Sequence, residues 1–408
     1  MKTVLLIYKN AYGGLSRSAW ILALVMLINR SGSMVVPFLS VYLTVELNLS
    51  VERAGIILSI FGLGSMGGSF LGGWLTDRFG QFYVQLLSLV FGGFMFIALG
   101  QMKEFEFLAI WIFLLSLVTD SLRPANASSI ALYARPENIT RAFSLNRMAI
   151  NLGFSIGPAI GGLLAAISYQ WLFIGDGLTC IGAGLLFFVF FRRRKTNSPA
   201  IESKESTSPA NELLKKSAWH DGRFILFSIC CSLFAIVFFQ LFSTLPLYYR
   251  DVYKLPESSI GVLIGLNGII VFLFEMITVY LLGQRFIIGK LIIAGSLLMG
   301  FSMIMLNLEN DIWILYAAMI IMSLSEILAM PYMVTYTVER SGPNTRGSYM
   351  GLYSLSYAAA FVIAPFMGTS IVAHLGYEWL WQINGILAVI TAIGFYFVLN
   401  KRSKSGNR

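Results

Sequence analysis

Charge is what this chain lacks most. Only 12% of its 408 residues are charged, 57% are hydrophobic, and the mean hydropathy is +0.75. An ordinary soluble domain carries about twice that charged share. A chain this poor in charge cannot build a polar coat over a large core, so lipid has to be its solvent. Histidine is almost missing. His220 and His374 sit near the ends of apolar segments and far apart in sequence, which fits interfacial polar residues. The three cysteines, Cys180, Cys230 and Cys231, all lie inside apolar runs, with neither metal-ligand spacing nor a disulfide framework. No metal and no cofactor is expected. Walker and dinucleotide-binding patterns are missing too, which argues against direct use of ATP. A membrane transferase would need a catalytic histidine or acidic residues clustered at a membrane surface. Neither is evident, so that alternative is minor and the chain is not read as an enzyme.

What is present is length without charge. Twelve apolar segments span 19–43, 54–75, 82–101, 106–134, 142–167, 170–191, 223–249, 258–283, 289–308, 312–337, 347–374 and 378–399. In lipid the backbone must satisfy its own hydrogen bonds, as helices or as a closed barrel. Runs of about 20 residues without alternation are helical. The first run is too long for the apolar core of a signal peptide and reads as the first membrane helix. The fold class is therefore all-α integral membrane, with twelve transmembrane helices in two pseudo-symmetric six-helix bundles.

The net charge of +9 does not point to nucleic acid, because the basic residues gather at segment ends and in one central loop, without interleaved aromatics. With both termini on one side, that side holds 22 of the 29 Lys and Arg, counting Arg223 and Lys290 at the very ends of their segments, and the opposite loops hold four. Three more, Arg30, Arg123 and Arg147, lie inside segments. The positive-inside rule makes the rich side cytoplasmic. The expected location is the inner membrane, multi-pass, with both termini in the cytoplasm.

The central stretch RRRKTNSPAIESKESTSPANELLKK (192–216) is charged and rich in Ser and Pro. It reads as a linker. The expected division is an N-terminal bundle (1–195), a linker (196–221) and a C-terminal bundle (222–408). The halves echo one another: PENITRAFSL (136–145) matches GPNTRGSYMG (342–351) in position, each before a helix with a late proline, Pro158 or Pro365. DRF (77–79) is echoed by QRF (284–286). Such internal repeats are common among secondary transporters.

Two motifs on this plan resemble the major facilitator superfamily across essentially the whole chain. GGWLTDRFGQ (72–81) follows the second segment. Gly73, Leu75, Asp77, Arg78 and Gly80 match the family pattern, while Gln81 and Phe82 stand where two basic residues are usual. Gly73 is expected to let two helices approach closely and Gly80 to allow a tight turn. By resemblance, Asp77 would meet the helix end near Gly347 as a gating latch. GFSIGPAIGG (153–162) is similar to the fifth-helix pattern of proton-driven exporters. Gly153, Gly157 and Gly161 recur every four residues, with Pro158 favouring a kink and Gly162 completing the motif. The subgroup most resembled is the drug:proton antiporters. The first helix is also similar, more distantly, to peptide transporters, through Asn29, Arg30, Ser31 and Val41-Tyr42-Leu43.

The resemblance implies that helices one, four, seven and ten line a central cavity, and the intramembrane charges fall largely on them. Arg30, Asp120 with Arg123, and Glu326 lie near the middles of helices one, four and ten, and Glu275 lies on helix eight. Asp176, near the outer end of helix six, is expected to be interfacial or to pack, and Arg147 to snorkel. A charge at mid-bilayer costs roughly 2.5–3.5 kcal/mol, so mere decoration is a poor explanation. Asp120 and Arg123 are spaced to meet on one helical face. Arg30 then needs an anion, with Glu326 the first expectation and Glu275 the second. Gln240, Tyr332, Tyr353 and Tyr357 are expected on the cavity wall. The implied activity is proton-coupled export of a small, moderately hydrophobic molecule by alternating access. The alternative is proton-coupled uptake of peptides or metabolites. The expected partners are a small-molecule substrate, protons and the bilayer, and the expected state is a monomer.

Overall fold

The computed structural model describes residues 14–134, 139–192, 218–283, 285–308, 311–341 and 345–399. They form fifteen α-helices and one 3-10 turn, Ala218–His220, with no strand among the described residues. The helices are α1 (Arg17–Ser31), α2 (Val35–Val45), α3 (Val51–Phe79), α4 (Gln81–Leu99), α5 (Phe105–Asp120), α6 (Leu122–Tyr133), α7 (Ile139–Ile167) and α8 (Gln170–Phe191), then α9 (Gly222–Phe238), α10 (Gln240–Asp251), α11 (Glu257–Gly283), α12 (Ile288–Met305), α13 (Ile312–Arg340), α14 (Arg346–Leu375) and α15 (Tyr377–Leu399). Together they supply twelve spans long and apolar enough to cross a bilayer.

Three spans that read as single apolar segments are each broken into two helices. They are the first (α1, α2), the fourth (α5, α6) and the seventh (α9, α10). Proline explains the first two. Pro37 has no N–H for the Ser33 carbonyl, and Pro124 none for that of Asp120. At the first break the freed amides turn back, Gly32 N to Asn29 O at 3.2 Å and Ser33 N to Arg30 O at 3.1 Å. At the second, Ser121 Oγ donates to Leu117 O (2.8 Å) and across to Gly68 O (3.1 Å). At the third, the Gln240 amide donates to Ile236 O and Ala364 O.

By packing, the chain sorts into two compact units. One comprises Met1–Phe38, Leu63–Pro199 and Pro256–Gly268, the other Leu39–Gly62, Ala200–Leu255 and Ile269–Arg408. Of the expected linker, residues 196–217 lie outside the described residues, as do parts of the two echoing connections, 136–138 and 342–344, and Gln284 of QRF. Inside the first unit α1 packs on α7 and α8, and α4 on α8; inside the second α9 packs on α14 and α15, and α12 on α15. These partners correspond six spans apart, so the internal repeat is one of packing as well as of sequence.

Buried aromatics and aliphatics fill each unit, for example Phe82, Phe187 and Phe191 in the first and Phe224, Phe227 and Phe395 in the second. Other large apolar side chains point away from any core. Phe70 and Phe397 are 68% and 66% exposed. At about 25 cal/mol per Å² such faces are costly in water and favourable against acyl chains.

Candidate functional site

The first unit builds its polar centre around the break in the first span. Arg30 lies in the last turn of α1, half-buried, with its guanidinium 5.4 Å from the Phe154 ring centroid on α7. Its Nε is buried and has no hydrogen-bond partner among the described residues. The Asp120 and Asp176 carboxylates and the Arg123 guanidinium all lie within electrostatic reach of it. Asp120 is itself claimed: Arg123 Nε donates to it at 2.7 Å across the α5–α6 break, with Asp120 buried and Arg123 mostly exposed.

The glycines of 153–162 explain how so large a residue sits there. A Cβ at Gly153 would stand 2.5 Å from the Arg30 Cβ, one at Gly157 3.0 Å from Ser33 O, and one at Gly161 3.0 Å from the Met34 Cβ. The four-residue stripe thus holds the broken stretch of the first span. The other face of the motif serves α11. A Cβ at Gly162 would collide with Glu257 O, and one at Gly261 with the Pro158 carbonyl. Beside it, Tyr169 donates to the Glu257 carboxylate at 2.8 Å. The second unit repeats the arrangement between α3 and α14. Ser59 Oγ donates to Val362 O at 2.8 Å, a Cβ at Gly62 would stand 2.9 Å from Phe361 O, and His374 lies 3.5 Å from Glu52.

In the loop motif one role moves by a residue. Gly73 has nothing within 4 Å of where its Cβ would be, so it does not provide the close approach expected of it. The register of α3 turns Gly64, Gly68 and Gly72 instead onto α5 and the Ser121 break; a Cβ at Gly72 would stand 2.5 Å from the Ser121 Cα. Gly80 does make the turn, at φ +83°. Asp77 is exposed, and Arg78 lies over the Trp74 ring at 5.3 Å.

In the second unit Glu326 is half-buried on α13, within electrostatic reach of the Tyr357 hydroxyl on α14. Tyr357 packs on Tyr353 with ring centroids 5.0 Å apart and on Phe239 at the α9–α10 break. The structure therefore gathers Glu326, Tyr353 and Tyr357. It does not bring Gln240 or Tyr332 to them. Gln240 is fully buried. Its amide bonds helix carbonyls and its Oε1 accepts from Thr244 at 2.7 Å, so its hydrogen bonding braces the break rather than facing a cavity. Tyr332 is 3% exposed, with its hydroxyl directed at Val279 O on α11. Glu275 is buried on α11.

Two charged sites lie outside the functional residues expected from the sequence. Asp176 is 3% exposed inside the first unit, where Oδ2 accepts from the amides of Met34 (3.3 Å) and Val35 (3.2 Å), the first residues past the break. It is a packing residue, as its position suggested, but one aimed at helix one. Asp221 caps α9 by accepting from Phe224 N at 3.2 Å, takes two hydrogen bonds of 2.7 Å from Arg340, and one of 2.9 Å from Tyr349. Partial burial alone would raise its carboxyl. The bonds from Arg340, Tyr349 and the Phe224 amide more than offset that, and the group sits below the ordinary carboxylate range. The signal available for Asp221 was an acid directly before an apolar run, the position of an N-cap. Asp176 had no such signal, because its partners lie some 140 residues earlier.

Known proteins resemble the chain along its whole length. The sequence model of the Major Facilitator Superfamily matches residues 19–308 and 273–408. A protein of Planococcus maritimus named a Na(+), Li(+), K(+)/H(+) antiporter is 26% identical, covering 92% of this chain and 94% of its own. A multi-drug resistance efflux pump PmrA homolog of Lactococcus lactis is 29% identical over 42% of this chain and 44% of its own. In three dimensions the chain is similar to a POT family transporter solved with a thioalcohol-conjugated peptide (TM-score 0.79, 18% identity, 96% of this chain and 98% of that one). It is also similar to a bacterial homolog of the human lysosomal transporter Spinster (TM-score 0.73, 14% identity, 93% and 96%). At these identities the structural likeness is one of fold.

Proposed function

The chain belongs to the major facilitator superfamily and is a multi-pass membrane transporter rather than an enzyme, and from that premise we propose that it exports a small, moderately hydrophobic molecule in exchange for protons. In this reading it lies in the inner membrane with both termini in the cytoplasm and works as a monomer by alternating access. The proton is exchanged at Glu326, and Arg30 is a second charge that the exchange uses. Glu275 serves structure. Asp77, Arg78 and the turn at Gly80 gate the cytoplasmic side, and Tyr353 and Tyr357 offer aromatic surface to the solute.

The observation that supports this most is the Arg30 guanidinium, set in a membrane helix at a break, with Nε unbonded and the nearby Asp120 already held by Arg123. A cation kept at that cost is a working part. The force available is adequate. About 100 mV acting on one charge is worth about 2.3 kcal/mol, so a proton force of roughly 150 mV supplies about 3.5 kcal/mol. At about 1.36 kcal/mol per decade, one proton sustains a solute gradient of roughly a few hundred-fold.

The test uses proteoliposomes and ethidium as the probe. An inside-acid gradient is expected to drive ethidium inward against its gradient, and Glu326→Gln to abolish the pH-driven part while leaving the protein folded. Full pH-driven exchange in that variant would show that Glu326 is not the carrier. Accumulation of a dipeptide under an outside-acid gradient would replace export by uptake. A second reading, exchange of Na(+) or K(+) for protons, is favoured by the name of the Planococcus relative. A pulse of either salt collapsing the pH gradient in the same vesicles would establish it.

A further inference from the structure

Asp176 has no place in the exchange just described, yet it touches the segment that carries Arg30 from both directions. On the far side of the break its Oδ2 accepts from the amides of Met34, the last residue of the turn, and Val35, the first of the short helix α2. On the near side, Cys180 Sγ lies 3.9 Å from Asp176 Oδ1 and accepts from Asn29 Nδ2 at 3.2 Å, one residue before Arg30. Between these anchors a Cβ at Gly32 would collide with the Thr179 hydroxyl, so α8 also presses on the break itself. Thr179 is held in turn by bonds of 2.9 Å to Gly175 O and Asp176 O. One turn and a half of α8 thus grips residues 29–35 at three points.

Charge points the same way as geometry. Of the two carboxylates that act on Arg30 inside this unit, Asp120 is bonded to Arg123, whereas Asp176 has no cation hydrogen-bonded to it among the described residues. The charged and titratable groups facing Asp176 are Arg30 and Cys180. A carboxylate at the start of α2 is favoured by the freed amides and the helix dipole, and Asp176 stands within electrostatic reach of the guanidinium.

We propose that Asp176 is the positioning residue for Arg30, its carboxyl group and amide bonds holding the break of the first span in the register that presents the guanidinium. The proposal rests on the reading that Arg30 takes part in exchange. A plain helix cap would need only an acceptor at this place. A positioning carboxylate needs its charge, and its loss is felt through Arg30.

Asp176→Asn separates the two, because the amide oxygen still accepts while the charge is gone. The variant is expected to elute and unfold like the parent, yet to exchange ethidium for protons at least tenfold more slowly. In the double variant with Arg30→Gln the losses are expected not to multiply, since residues acting through one another couple. Parental exchange by Asp176→Asn, or losses that multiply in full, would overturn the proposal. If Asp176→Asn does not fold, Asp176→Ser carries the same comparison. If the parent itself shows no pH-driven exchange, the proposed function falls and Asp176 is decided separately. The rate at which N-ethylmaleimide labels Cys180 in nanodiscs, read on its peptide by mass spectrometry, is then the measure. A rise of at least tenfold in Asp176→Asn, with no further rise when Arg30→Gln is added, sustains the positioning role; an unchanged rate, or rises that multiply, removes it.

Discussion

At the scale of single residues, glycine identity is dictated by what stands opposite it. Gly153 and Gly73 are both helical glycines in recognisable motifs, and they predict opposite outcomes. Gly153→Ala drives a methyl to 2.5 Å from the Arg30 Cβ, in a stripe with no room to yield. It is expected to cost roughly 1–3 kcal/mol and to lower the thermal midpoint in detergent. Gly73→Ala meets open space and gains helix propensity, so its midpoint is expected to stay level or rise by an amount matching about 0.5–1 kcal/mol. Asp221 gives a pH dependence with a definite sign. Its folded pKa lies below the unfolded value of about 3.9, so its contribution is fully present above that pH and lost as pH falls through the folded value. Asp221→Asn is therefore expected to be less stable than the parent near neutrality. The two unfolding curves should converge as the sample is acidified below the carboxylate range. A gap that persisted unchanged at low pH would place the stabilisation elsewhere.

At the scale of elements, three interrupted spans matter more than twelve long ones. A broken helix in lipid must find partners for the amides and carbonyls it frees, and side chains nearby supply them: the Asp176 carboxylate for the Val35 amide, the Ser121 hydroxyl for Leu117 O and the Gln240 amide for Ile236 O. Pro124 shows cause and consequence together. Pro124→Ala restores a donor for the Asp120 carbonyl and lets α5 run into α6. The expected result is equal or higher thermal stability with slower ethidium exchange, because straightening the span shifts the Asp120–Arg123 pair relative to Arg30. Unaltered turnover would mean that the break is incidental to transport. The apolar lengths were legible in the sequence, but the breaks were not. Proline occurs inside α7 and α14 without interrupting either, so the residue alone does not announce which span will part. The local partners that accept the freed backbone groups decide it.

At the scale of the whole molecule, the distribution of Lys and Arg predicts that both termini lie in the cytoplasm. Lys254→Cys is expected to react with an impermeant maleimide added outside intact cells, and Ser403→Cys only after permeabilisation. The reverse pattern would invert the topology. The packing units carry a second lesson. Residues 39–62 group with the C-terminal spans and 256–268 with the N-terminal ones, although sequence order alone would divide the chain at its polar middle. The tight helix contacts at Gly62 with Phe361 and at Gly162 with Glu257 account for that exchange. They are surface-to-surface fits between helices more than 90 residues apart, and no local pattern encodes them.

Composition and run length by themselves determined that this chain lives in lipid as twelve helices, because long apolar runs without alternation satisfy their backbone hydrogen bonds in lipid as helices, and the matching loop stretches marked two related halves. The motif residues named the family. What only the tertiary structure decided is which polar groups meet: Asp176 with the amides past the first break, Asp221 with Arg340, and Gln240 with helix carbonyls instead of a cavity. Helix periodicity states which face a side chain occupies, but the rotation of one helix against another sets what lies opposite. That rotation is fixed by close packing of small residues spread over the entire chain.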